Sequence, residues 1–199
     1  MGDNTIDAYL DAFKGGGARQ YLFLVYFAFP SKVLESGLKN VLSVTDLTAE
    51  YIRTGTVDVL SRAKLLGQLP YYVRTTSLPE SSYEDISVPY PGYNFKMAGT
   101  RVFNDWTVSL NIDQNNDILS AFHAWLNMIY NPQDHTYSAP IEYMVTQTLH
   151  LLGPEMNPTS KYKLYRAWPK SIGNVQLDYS STELATVDIT FSYQYYMKE

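Results

Sequence analysis

The 199-residue chain has no cysteine, which excludes disulfides and thiolate-held metal from the start. Histidine is nearly as scarce. His123, His135 and His150 are the only three, and none stands at metal-ligand spacing from another histidine or from a carboxylate pair. No phosphate-binding glycine loop, dinucleotide fingerprint or G-x-S-x-G elbow occurs. Gly15-Gly16-Gly17 follows a helical pattern where a phosphate cradle needs a preceding strand, so it reads as a hinge. Long apolar runs are missing too: YLFLVYFAFP is too short to span a bilayer, and MGDNTIDAYLDAFKGGG lacks the basic and apolar regions of a signal peptide. Glu84-Asp85 and Asp113/Asp117 are placed as turn or cap carboxylates. The sequence therefore predicts no catalytic, metal or cofactor residue, no membrane insertion and no enzyme.

Bases are absent from one long stretch. Between Arg101 and Lys161 there is no Lys or Arg, while Asp105, Asp113, Asp117, Asp134, Glu142 and Glu155 lie inside it. Lys161, Lys163, Arg166 and Lys170 follow at once. A protein that grips nucleic acid clusters bases on its binding face, and a net charge of −5 with one short basic run argues against that role.

What the chain does have is tyrosine, 18 copies, in a composition that is 45% apolar and 18% charged. That balance is globular, and tyrosine suits both strands and half-wet subunit contacts. Period-2 alternation recurs along the chain. Trp106, Val108, Leu110 and Ile112 alternate with Asp105, Thr107, Ser109 and Asn111. Near the C-terminus, Val187, Ile189, Phe191, Tyr193 and Tyr195 alternate with Asp188, Thr190, Ser192 and Gln194, predicting one continuous strand. IEYMVTQTLHLL and KYKLYRAWP read as further strands. YEDISVPY and YNFKMAG flank Pro89-Tyr90-Pro91-Gly92 and predict a hairpin whose tip projects, because proline cannot donate to a ladder. DILSAFHAWLNMIY is the clearest helix, with Asn115 or Asn116 as its expected cap. A short N-terminal helix capped by Asp3 and a helical excursion at about 31–69 complete the layout. The expectation is a single domain over residues 1–199. It is mainly β, a sandwich or partly closed barrel of antiparallel strands, with one long flanking helix and a helical insertion.

Two stretches carry a resemblance. MAGTRVFNDWTVSLNID resembles the A-G-x-R-x-F-x-D-W-T-V run of tail tube proteins from contractile-tailed phages of the T-even type, matching at Ala98, Gly99, Arg101, Phe103, Asp105, Trp106, Thr107 and Val108. YRAWPKSIGNVQLDYSSTEL resembles the W-P-x-x-[IV]-G-x-[VL]-Q-L-D-[WY] segment of the same family, through Trp168, Pro169, Ile172, Gly173, Val175, Gln176, Leu177, Asp178 and Tyr179. The resemblance implies a non-enzymatic structural subunit of the tail tube in the virion, assembled in the bacterial host cytoplasm. Hexameric rings would stack inside a contractile sheath and conduct DNA into the host. Partners so implied are other copies of the chain, the sheath protein, baseplate or tube-initiator and terminator proteins, and viral DNA passing without specific binding. Tubes of bacteriocins or type VI secretion are the nearest alternative, and a monomeric carbohydrate-binding sandwich a more distant one.

Free passage of DNA requires a lining that does not hold phosphates. The expected lumen faces are therefore Asp105/Thr107/Ser109/Asn111, Glu142/Thr146/Thr148 and Asp188/Thr190/Ser192/Gln194. For ring stacking, the resemblance implies the hairpin, with Tyr90, Tyr93 and Phe95 as anchors. The basic run Lys161, Lys163, Arg166 and Lys170 is expected to meet the acidic 102–160 segment of a neighbour.

Overall fold

One long strand organises the molecule. A computed structural model describes residues 6, 17, 19–36 and 69–199, so the predicted N-terminal helix and most of the 31–69 excursion lie outside the described residues. In chain order the elements are β1 (Phe23–Tyr26), α1 (Ser31–Ser36), β2 (Val73–Thr76), β3 (Ser81–Tyr90), β4 (Tyr93–Phe103), β5 (Trp106–Asn111), α2 (Asp117–Ile129), β6 (Tyr130–Asn131), β7 (Thr136–Tyr137), α3 (Pro140–Tyr143), β8 (Val145–Leu152), β9 (Pro158–Ile172), β10 (Thr186–Ser192) and β11 (Tyr195–Lys198).

Seven of these strands form a sheet ordered β1-β8-β9-β10-β5-β2, with β11 also on β9 and every pairing antiparallel. The fifteen residues of β9 serve two layers. Its first part, to Ala167, pairs with β8, and Tyr162–Tyr165 also pair with β11. Trp168–Ile172 pair with β10. Between these parts Arg166 takes a left-handed backbone (φ 53°), which lets the strand bend without breaking. The predicted single C-terminal strand is split opposite this bend. Gln194 N–H reaches the Tyr165 carbonyl (3.1 Å), and the inside–outside phase reverses: Tyr193 is buried, Tyr195 is exposed and Tyr196 turns inward. A strand that passes from one layer of a sandwich to the other must make that reversal.

Between the layers lies the core. Val25, Leu149 and Leu164 come from one side, and Trp106, Val108, Leu110, Val187, Ile189 and Phe191 from the other. α2 closes one opening by inserting Phe122 and Trp125, both fully buried, against Phe27, Phe29 and Phe191. The indole N–H groups are satisfied, Trp106 on the Ser77 carbonyl (2.8 Å) and Trp125 on the Tyr143 carbonyl (3.0 Å).

Two local expectations change. Asn116 occupies the cap position of α2 in a left-handed conformation and makes no side-chain cap bond. Asp113 does the capping, its carboxylate accepting from the Asp117 and Ile118 amides at 3.1 and 3.2 Å. The expected strand IEYMVTQTLHLL begins as one turn of helix, α3, because Pro140 favours the first helical position, and the strand proper starts at Val145. Glu142 is therefore on a helix, not on a sheet face.

Candidate assembly surfaces

The β3–β4 hairpin stands away from the sandwich. Residues 82–98 are exposed on both strands, and the register pairs Ile86 with Met97, Val88 with Phe95 and Tyr90 with Tyr93. Paired residues share a face, so those six side chains form one apolar face, exposed by 40–61%. The other face is polar, with Lys96 bound to Asp85 at 2.7 Å and its ammonium pKa raised by that bond. Gly99 permits the hairpin's bulge: a Cβ there would lie 2.8 Å from the Glu84 carbonyl oxygen.

What fixes the hairpin's direction is its root. The Arg101 guanidinium lies over Phe103 (4.8 Å), Tyr196 (5.7 Å) and Tyr83 (5.8 Å) and donates twice to Ser81 Oγ (2.9 and 3.2 Å). Tyr193 donates its hydroxyl to the Glu80 carbonyl at 3.2 Å, and burial pushes its pKa to about 12. The root is thus tied to the C-terminal segment through the Tyr193 hydroxyl and the Arg101–Tyr196 contact, a cation–π contact worth about 0.5–1 kcal/mol at an exposed site. Arg101→Ala is expected to speed proteolytic cleavage within residues 82–98 while lowering the melting temperature only by a few degrees, with Arg101→Lys intermediate. Unchanged cleavage would show that the aromatic cluster alone sets the root.

The predicted polar faces separate into two groups. Thr107, Ser109 and Asn111 of β5 and Asp188, Thr190 and Ser192 of β10 share the outer side of the β2-β5-β10-β9 layer. They bond across the strands, Thr107 Oγ1 with Thr190 Oγ1 at 3.2 Å and Ser109 Oγ donating to the Asp188 carboxylate. Thr75 and Ser171 extend the same face in register. Asp105, just before β5, holds Lys170 at 2.6 Å, so this basic residue pairs with the acidic segment of its own chain.

Thr146 and Thr148 are elsewhere. Their side of β8 is the outer side of the opposite layer, where Thr148 sits against Lys163 and His150 against Lys161. Tyr26, Tyr195 and Met197 share that surface, with Tyr26 4.9 Å from the His150 ring and Tyr195 stacked on Tyr165 at 4.8 Å. Burial and the two lysines hold the His150 pKa down. Lys163 is bound to Glu199 at 2.8 Å, and Arg166 is exposed at the bend. Gln194 lies in the break between β10 and β11, and Glu142 on α3 holds Lys32 at 2.7 Å. The expected lining had joined Glu142, Thr146, Thr148 and Gln194 to the β5 and β10 face, from which the structure separates them.

One surface was missed. The loop from Gly173 to Ala185 leaves Leu177, Tyr179 and Leu184 almost wholly exposed. Asp178 organises it: its carboxylate accepts from the Ser180 amide (2.9 Å) and hydroxyl (2.7 Å), which holds its pKa below the usual carboxylate range. The signal was readable, since apolar residues flank a turn-forming Asp-x-Ser inside the second motif.

Among the described residues no group of three or more His, Asp or Glu is arranged to hold a metal, and no helix is long and apolar enough to cross a membrane. The phage tail tube protein family matches residues 18–199. The chain belongs to this family. Among similar proteins, tail tube protein gp19 of Enterobacteria phage T4 is 27% identical over 135 residues, covering 66% of this chain and 83% of that one. The tail tube protein of Serratia phage KSP90 is 29% identical over 113 residues, or 56% of this chain and 64% of its own. The fold is shared with a chain in the sheath–tube complex of an extracellular contractile injection system (TM-score 0.50, 19% identity, 64% of this chain and 80% of that one). It is also shared with a chain of the anti-feeding prophage baseplate (TM-score 0.52, 15% identity, 64% and 80%). The phage tail tube protein is thus a structural component of the virion tail, and the two sequence motifs map to its hairpin root with β5 and to its exposed loop.

Proposed function

We propose that this tail tube protein closes into six-membered rings that stack as a conduit for viral DNA, with the outer side of the β2-β5-β10-β9 layer as the lumen. The observation that carries this reading is the cross-strand ladder of Thr107, Ser109, Asp188 and Thr190. It presents hydroxyls already bonded to one another and a carboxylate, and Lys170 beside it is neutralised by Asp105. DNA meeting this ladder finds hydroxyls and a carboxylate, and a further exposed base of the layer, Arg74, lies off the ladder at the register shift in β2. The opposite layer, with Lys161, Lys163, Tyr26 and Tyr195, then faces outward, toward a sheath of the kind named for the structural neighbour.

Ring closure has candidate edges. Among the described residues β1 pairs only with β8, β2 only with β5 and β11 only with β9, and such one-sided strands invite pairing between subunits. Repetition around a closed ring removes the edges. No catalytic step is part of this role.

Electron microscopy of the purified chain across a concentration series tests assembly, and lysine substitutions test the lining. Virions carrying Thr107→Lys and Thr190→Lys are expected to build complete tails yet eject DNA more slowly. Thr146→Lys, on the other layer, is expected to eject normally. The reverse pattern would put the lumen on the β1-β8-β9-β11 side.

A further inference from the structure

Two of the exposed apolar surfaces among the described residues lie at opposite ends of one layer. The hairpin springs from the end of the layer where β5 begins, because β4 stops at Phe103 and Trp106 pairs with Phe191. The Gly173–Ala185 loop lies where β5 ends: Thr186 pairs with Asn111, and the Ile112 amide donates to the Ala185 carbonyl at 2.9 Å. Six strand residues separate the two ends, roughly 20 Å at about 3.3 Å per residue. A ten-residue hairpin strand extends farther than that, to about 33 Å.

Among the described residues neither surface is covered. The hairpin face of Ile86, Val88, Tyr90, Tyr93, Phe95 and Met97 is exposed, as are Leu177, Tyr179 and Leu184 of the loop. Exposed apolar surface of this extent on a soluble domain marks a contact. Both surfaces are also preorganised, which lowers the entropy cost of docking. Arg101 and Gly99 fix the hairpin at its root and bulge, and the Asp178–Ser180 turn holds the loop with Leu177 and Tyr179 on either side of its anchor.

We infer that the Gly173–Ala185 loop is the socket for the β3–β4 hairpin of a second copy of this chain, with Leu177 and Tyr179 packing on its apolar face. The partner is another copy because each copy carries both halves of the contact, one at each end. A contact between unlike surfaces at opposite ends runs head to tail, and where its rotation does not close a ring it propagates along an axis. The second motif, W-P-x-x-I-G-x-V-Q-L-D-Y, then has a physical purpose. Gly173 lets the chain pass against Asp188, where a Cβ would lie 3.1 Å from the Asp188 carbonyl oxygen, and Asp178 shapes the loop that presents the socket. This inference rests on the stacked-tube reading and names the partner surface for it.

The absence of native cysteine makes the test clean. Tyr90→Cys or Tyr93→Cys is combined with Leu177→Cys or Tyr179→Cys, tubes are assembled and checked by electron microscopy, and a short bismaleimide is added before denaturing electrophoresis. The expected result is a covalent ladder that continues well past the number of subunits in one ring, with single-cysteine variants giving no ladder. A ladder that stops at the ring number makes the contact lateral and overturns the inference while leaving the tube intact. Tubes that form normally but cross-link with none of the pairs overturn it as well. Absence of any ring or tube, even after addition of a tail-initiating baseplate complex, overturns the tube reading itself.

Discussion

Phe95→Asp is expected to abolish tube growth while leaving the monomer's melting temperature within about one degree of the parent. The side chain is 53% exposed, and its cross-strand partner Val88 is 40% exposed, so the isolated fold gains little from either. Docking changes that. Burying a phenylalanine contributes about 1.5–3 kcal/mol, and the substitution also leaves an unpaired carboxylate in an apolar contact. A ring repeats the loss at every subunit, so the concentration needed for stacking rises by far more than the roughly tenfold that 1.4 kcal/mol at a single contact would give. Val88→Asp is expected to act the same way. Lys96→Ala, on the hairpin's other face, is expected to leave assembly unchanged, since its exposed pair with Asp85 contributes little. Sedimentation and electron microscopy at matched concentrations read the outcome. Normal tubes from Phe95→Asp would remove the apolar face from the stacking contact.

The largest expected loss of folded stability is at Gln147. Among the described residues it is the buried polar side chain of the core, and its amide forms a reciprocal pair with the backbone of Ala28: the Ala28 N–H donates to Oε1 and Nε2 donates to the Ala28 carbonyl, each at 2.9 Å. The side chain thereby continues the β1–β8 ladder past the end of β1 and steers the chain toward α1. Gln147→Ala removes both bonds to Ala28 and leaves a cavity where a fully buried side chain stood, so a loss of about 3 kcal/mol is expected even though Ala28 itself is exposed. In a domain of this size that corresponds to roughly 6–12 °C in melting temperature. Gln147→Glu sharpens the test. A buried carboxylate can accept from the Ala28 amide but opposes its carbonyl, and burial favours the protonated form. The folded state therefore binds that proton more tightly than the unfolded state, and this variant should gain stability as pH falls. A melting temperature that does not respond to pH would show that water or a local rearrangement satisfies the site.

Much of the fold was legible because its signals are local. The strict alternation around Trp106–Leu110 and Val187–Phe191 assigns the inward side of β5 and β10 without reference to any partner. Pro89–Gly92 brackets the hairpin turn, and the apolar stripe of Ile118, Phe122 and Trp125 on α2 is a helical period. The cap position of α2 falls at Asn116 as expected, but the capping carboxylate is that of Asp113, which reaches forward over Asn115 and Asn116, a bond set by the path of the preceding loop. Glu142 was misassigned because a helical turn opened by Pro140 interrupts an otherwise alternating segment.

The sequence by itself determined the longer strands and the long helix, which side of β5 and of most of β10 is buried, and, through two motifs, the family. Period-2 patterning is a property of neighbouring residues, so it survives without a structure. It separates inside from outside on each strand but cannot say which of two outsides a strand contributes to. That depends on pairings between residues far apart in the chain. Tertiary structure alone decided that Thr148 sits beside Lys163 on one layer while Thr107 and Ser109 sit beside Thr190 and Asp188 on the other. It also decided that the last strand reverses phase at Tyr193 where it follows the bend at Arg166, and that hairpin and loop emerge from opposite ends of one layer. Each of these is fixed by register and by the passage of β9 between layers, which no local pattern encodes.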